Sequence, residues 1–131
     1  NVLLKKAGKS KMVDYLGAVN PAAMQDIYSQ ARFLVLPTQY GEGIPRTILE
    51  ASASGVPCIA YNWRGVKRAV NDAVTGWLCP AGNVDALAEA LYRALDMEHD
   101  EYLAMCDQAR RLMISSFSES IVLQRYKNVI G

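Results

Sequence analysis

The 131-residue sequence has no apolar run long enough to span a bilayer, and its opening stretch NVLLKKAGKSK lacks the long apolar core of a secretory signal. It has no excess of charge either. Fourteen basic and thirteen acidic side chains leave a formal net charge of +1, so the electrostatic footprint of a nucleic-acid or anionic-surface binder is missing. An anionic ligand must therefore be held locally. Cysteine is scarce: Cys58, Cys79 and Cys106 share no C-x-x-C spacing and sit beside apolar neighbours. They read as buried free thiols in a reducing, cytoplasmic setting, not as a disulfide or metal framework. The single histidine, His99 in MEHDEY, has no neighbouring cysteine or second histidine and reads as a surface residue.

What is present suits one globular domain. Half the residues (51%) are hydrophobic and 21% are charged, an ordinary balance for a chain that buries one core. The first residue is Asn1, not Met, and the expectation is a piece of something longer.

Period and punctuation place the elements. VDYLG (13–17) reads as a short strand, and PAAMQDIYSQA as a helix with Pro21 in its first turn and Met24, Ile27, Tyr28 and Ala31 at helical spacing. FLVLP and VPCIAY are continuous apolar runs, the pattern of strands buried on both faces of a parallel sheet. A helix around VKRAVND and a fourth strand, TGWLCP, repeat the unit. Helices follow in NVDALAEALYRALDM, with Asn83 as N-cap, in EYLAMCDQARRLMI, and in SESIVLQRYKNVI, with Ser118 as cap. Alternating strands and helices predict an α/β fold whose mostly parallel sheet is covered on both sides. In such sheets ligands bind at the carboxyl ends of the strands, and TQYGEGI is the loop at that end of FLVLP.

The segment YGEGIPRTILEASASG carries two glutamates, Glu42 in the loop and Glu50 on the helix that begins at about Pro45. Gly41 and Gly43 flank Glu42 and allow a ligand to approach the backbone. The amides around Gly43, Ile44 and the first helical turn, with the helix dipole, make an anion site. Thr47, Glu50 and Ser54 share one helix face, a polar stripe, while Ile48 and Leu49 turn toward the core. A ligand with an anion between two hydroxyl-bearing ends, such as a nucleoside diphosphate sugar, fits that arrangement. The same spacing also allows Arg46 and Glu50 to be a surface ion pair, and Glu42 to be an acidic residue favoured near a helix N-terminus.

EGIPRTILEASASGVPCIA resembles the E-x7-E signature of retaining glycosyltransferases with the GT-B fold, glycosyltransferase family 4, in their C-terminal donor-binding domain. VDYLGAV with MQDIYSQARFLVLPT, AVNDAVTGWLCPAGNVDALAEAL and FSESIVLQRY resemble the family's flanking blocks in order, so the likeness covers nearly the whole chain. The resemblance implies a Rossmann-like parallel sheet with helices on both faces, the C-terminal half of a GT-B fold, followed by C-terminal helices. It implies that residues 1–131 are a single, N-terminally truncated nucleotide-sugar-binding domain whose acceptor-binding N-terminal domain is absent. Glu42 becomes the catalytic candidate, contacting donor-sugar hydroxyls. Glu50 becomes the ribose acceptor, and Gly41, Gly43, Ile44, Pro45 and Thr47 complete the donor site. The implied activity is retaining hexosyl transfer from a UDP- or GDP-sugar to a glycan or lipid-linked acceptor, with the fragment alone inactive.

The expected partners are the nucleotide sugar, as donor substrate, and the missing N-terminal domain, through which alone a membrane would be met. No D-x-D pair is present to hold a metal-bound diphosphate, and neither a metal nor a cofactor is expected. The likeness departs at NWRGVKRAV, where Arg64 and Arg68 stand where the family often has glycine and glutamate. Lys5, Lys6, Lys9 and Lys11 do not match the family's diphosphate-gripping cations. An alternative reading is a non-catalytic nucleotide-sugar binding or interaction module with the same fold.

Overall fold

The computed structural model describes residues 12–39 and 43–117. Elements alternate as α1 (Pro21–Gln30), β1 (Leu34–Leu36), α2 (Arg46–Ala53), β2 (Cys58–Tyr61), a 3-10 turn (Val66–Arg68), β3 (Gly76–Cys79), α3 (Val84–Leu95) and α4 (His99–Ser116). The three strands form one parallel sheet in the order β1-β2-β3. Leu34 is in register with Cys58, and Cys58 with Gly76.

Strand alternation sends side chains to two cores. On one face Cys58 and Ala60 join Ile48 of α2, Val66 and Val70 from the connection after β2, and Met113 of α4. On the other, Ile59, Tyr61 and Cys79 meet Ala94 and the apolar stripe of α3. The sheet is therefore the middle layer of three. Ile48, Ile59, Val66 and Val70 are almost wholly removed from water, each worth roughly 1.5–3 kcal/mol relative to exposure. A third cluster seats α1 through Tyr28 against Ala51 and Val56.

Asparagines cap two of the helices, Asn83 as its sequence suggests. Asn20 accepts from the Ala22 amide at 3.0 Å to open α1, and Asn83 accepts from the Ala86 amide at 3.0 Å to open α3. Pro45 is the N-cap of α2 and not its first helical residue. The fourth helix starts at His99, two residues earlier than its sequence suggests, so His99 is an exposed first-turn residue.

Two expected elements differ. Residues 13–17 form no strand: Val13, Tyr15 and Leu16 are 50–70% exposed, because nothing among the described residues offers this stretch a ladder. The helix expected around VKRAVND shrinks to the 3-10 turn Val66–Arg68. Local bonds stop it: the Asn71 amide donates to Thr75 Oγ1 at 2.8 Å, and Asp72 Oδ1 accepts from the Leu78 amide at 3.0 Å. These fold the chain back, through Ala73 at φ 64°, in time to start β3. Cys58 and Cys79 are buried as expected, whereas Cys106 is only half-buried on α4. The closing helix with its cap Ser118 and the four N-terminal lysines lie outside the described residues.

Candidate functional site

The β1 and β2 strands are joined through α2, so the loop ending in Gly43–Pro45 lies at their carboxyl ends and runs straight into the N-terminus of α2. Among the described residues no side-chain capping bond is made at that terminus, Pro45 having none to give; the Ile48 and Leu49 amides return to the Pro45 carbonyl at 3.1 and 3.4 Å. Pro45, at φ −59° and ψ 130°, sets the direction of entry. Gly43 is exposed, and Ile44 is half-buried against the core beneath the sheet. Gly41 and Glu42 of the expected site, with Tyr40, lie outside the described residues.

Glu50 sits on the second turn of α2 and is touched from two directions. Arg46 Nε donates to its Oε1 at 2.8 Å, an i,i+4 pair with side chains 70% and 37% exposed, worth a few tenths of a kcal/mol at such exposure, roughly 0.3–0.5. Tyr28 of α1 donates its hydroxyl to Oε2 at 3.1 Å. Burial, then the hydrogen bond to Glu50 and its negative charge, push the Tyr28 phenol up to about 12, with Arg46 pulling the other way. The polar stripe continues along the seam between α1 and α2. Ser54 Oγ donates to the Glu50 carbonyl at 2.9 Å and accepts from Gln25 Nε2 at 3.4 Å. Thr47, on the same helix, is half-buried.

A second loop meets this one. Gly65, in the connection after β2, lies so close to the Gly43–Ile44 peptide that a methyl group there would run into the Gly43 carbonyl. Trp63, half-buried in the same connection, packs against the core beneath Ile44, while Arg64, Lys67 and Arg68 are exposed. Sequence reasoning missed Tyr28 and Gly65 as members of this region. Tyr28 reads as one more apolar residue at helical spacing, and the glycine's closeness to Gly43 carries no local signal.

Among the described residues no three histidine, cysteine or carboxylate side chains come together as a metal set. No described helix is long and apolar enough to cross a membrane. A cleft of about 590 Å³ between Trp77, Arg93, Asp96 and Glu101 opens at the amino end of β3 and shares no residue with the α2 region.

Residues 2–113 match the family described as glycosyl transferases group 1. The chain belongs to that family. Its similarity to the phosphatidyl-myo-inositol mannosyltransferase of Mycobacterium leprae is 30% identity over 124 residues, 93% of this chain and 33% of that protein. The sucrose-phosphate synthase of Thermosynechococcus elongatus superposes on 98% of this chain and 32% of its own, with a TM-score of 0.82 and 27% identity. The Anabaena protein HepE, solved in complex with UDP-glucose, superposes on 96% of this chain and 34% of its own, with a TM-score of 0.79 at 19% identity. The fold of this glycosyl transferases group 1 domain is thus the parallel α/β arrangement of GT-B glycosyltransferases. The chain spans a third or less of the length of the curated relatives it matches.

Proposed function

We propose that this domain binds the nucleoside diphosphate of a sugar donor at the N-terminus of α2, in an enzyme that transfers the sugar to a glycan or lipid-linked acceptor. The observation that carries the reading is the placement of the N-terminus of α2 at the carboxyl ends of β1 and β2, entered through Pro45, with the carboxylate of Glu50 on the next turn. Amides there and the helix dipole favour an anion, and Glu50 is placed to accept from hydroxyls on the same ligand. The UDP-glucose held by the HepE domain of like fold, and the inositol lipid in the name of the Mycobacterium leprae relative, support donor and acceptor classes of this kind.

In this reading the diphosphate lies over Gly43, Ile44 and Pro45, and Gly41 and Thr47 belong to the same donor site. Glu50 accepts from the ribose, and Glu42 accepts from the sugar and orients its anomeric carbon. The transfer proceeds with retention, within family 4 of the glycosyltransferases. Preorganised amides stabilise the charge that develops on the departing diphosphate, so neither glutamate has to become a covalent nucleophile. The acceptor, and any membrane that presents it, is met by a separate N-terminal domain of a cytoplasmic enzyme.

Calorimetric titration with UDP and GDP tests the donor site. One of the two nucleotides should bind, and Glu50→Ala should cost about 1–3 kcal/mol of that binding, as for a removed charged hydrogen-bond partner. Equal affinity of wild type and Glu50→Ala would refute the ribose assignment.

A further inference from the structure

The two groups that hold Glu50 are unlike. Arg46 reaches Oε1 from one turn away on an exposed side chain. It can leave. Tyr28 comes from another helix, is 4% exposed, and its ring is seated with Ala51 and Val56 against Met24, Ala31 and Leu34. It cannot swing away without opening the seam between α1 and α2.

The last torsion of a glutamate side chain is broad, so a carboxylate on a helix surface samples many orientations of its plane. A hydrogen bond to one oxygen from a fixed donor removes that freedom. It uses a single lone pair of Oε2 at 3.1 Å and leaves the other acceptor sites of the carboxylate aimed in a set direction. Two adjacent hydroxyls on a ring need such a fixed plane to be met together, and an acceptor oriented beforehand loses less entropy when they arrive.

We infer that Tyr28 is a positioning residue, whose buried hydroxyl fixes the carboxylate plane of Glu50 so that the vicinal hydroxyls of a ribose meet it already oriented. The inference rests on the reading of Glu50 as the ribose acceptor. Tyr28 contributes no contact to the ligand; its effect passes through Glu50 alone. A tyrosine phenol is a proton donor throughout the neutral range.

The experiment compares the intact natural protein with its Tyr28→Phe and Glu50→Ala variants. Each is titrated with UDP and GDP and with their 2′,3′-dideoxy analogues, which lack both hydroxyls. Phenylalanine keeps the ring and its packing. Wild type should prefer the ribonucleotide, and Glu50→Ala should erase the preference. Tyr28→Phe should weaken ribonucleotide binding about fivefold to tenfold while leaving the dideoxy analogue within about twofold of wild type. If wild type shows no preference, or Glu50→Ala retains it, the ribose reading fails and Tyr28 has nothing to position. If Glu50→Ala erases the preference and Tyr28→Phe keeps it in full, the ribose reading stands and the positioning role is overturned. Equal loss of both nucleotides in Tyr28→Phe would mark the tyrosine as packing only, and overturns the role as well.

Discussion

A methyl group on Gly65 would stand 2.7 Å from the carbonyl carbon of Gly43 and 3.3 Å from the Ile44 nitrogen. The loops after β1 and β2 therefore touch backbone to backbone. Gly65→Ala has to push the Gly43–Ile44 peptide aside, and backbone atoms do not yield as a flexible side chain does. The expected cost is about 1–3 kcal/mol, the usual range for overpacking, read as a lower urea midpoint at unchanged slope. Amide chemical-shift changes should centre on Gly43 and Ile44. An alanine variant as stable as wild type, with those amides unmoved, would show that the two loops are not in contact.

Tyr28 makes stability depend on alkaline pH. Its folded-state pKa of about 12 lies above the ordinary 10.0, so the folded protein holds the phenolic proton more tightly than the unfolded chain. The contribution is complete below pH 10 and is lost as pH rises toward 12. Tyr28→Phe should cost about 1 kcal/mol at neutral pH, for the lost hydrogen bond. Its deficit against wild type should shrink, or change sign, above pH 10, as urea denaturation at a series of pH values would reveal. A deficit that stays constant across that range would mean that Tyr28 titrates no differently in the two states.

The cysteines should separate by reactivity. Cys58 is wholly buried and burial pushes its thiol up to about 12; Cys79 is 3% exposed and raised by burial and then by Asp72. The thiolate is the reacting form, so both should be inert to a thiol-exchange reagent in the native protein. Half-buried Cys106 should react first. Peptide mapping after timed labelling decides the order, and early labelling of Cys58 would contradict its place in the core.

Tyr102 should matter to stability more than its position on a helix of low apolar character suggests. Its hydroxyl donates to the Arg32 carbonyl at 2.7 Å, its ring meets Phe33 edge-on at 5.3 Å, and the Arg32 guanidinium lies 4.6 Å from the ring centroid. Tyr102→Phe removes only the hydrogen bond and should cost about 0.5–1.5 kcal/mol. Tyr102→Ala removes all three contacts and should cost several times as much, read from the same denaturation curves.

How far the sequence revealed this molecule depends on the range of each interaction. VPCIAY declares itself as a strand because burial on both faces leaves a continuous apolar run, and FLVLP and TGWLCP are apolar enough to be read the same way, although Val35 of β1 is 38% exposed and the expectation of burial on both faces fails there. Asn83 caps its helix by a contact within three residues. VDYLG has an equally strand-like composition, yet a strand exists only where a partner offers a ladder, which composition cannot report. In VKRAVND the apolar spacing reads as helix, while the bonds at Asn71 and Asp72 that stop it depend on where Thr75 and Leu78 end up. The Arg46–Glu50 pair is legible as a spacing of four. Tyr28, 22 residues from Glu50, and Gly65, across the loop from Gly43, enter the site only through tertiary packing.

The chain order of the strands bears on how the molecule assembles. Because β1, β2 and β3 lie side by side in the order in which they occur, each new strand has only the loop just made to close, and the sheet can grow outward one βα unit at a time. Helix α4 breaks that economy. Its Tyr102 finds Arg32 seventy residues back, and its Met113 joins a core that α2 and β2 have already begun. The long loop it closes predicts that it docks late, after the rate-limiting barrier. Tyr102→Phe should therefore act on the unfolding arm of a chevron and leave the folding arm in place.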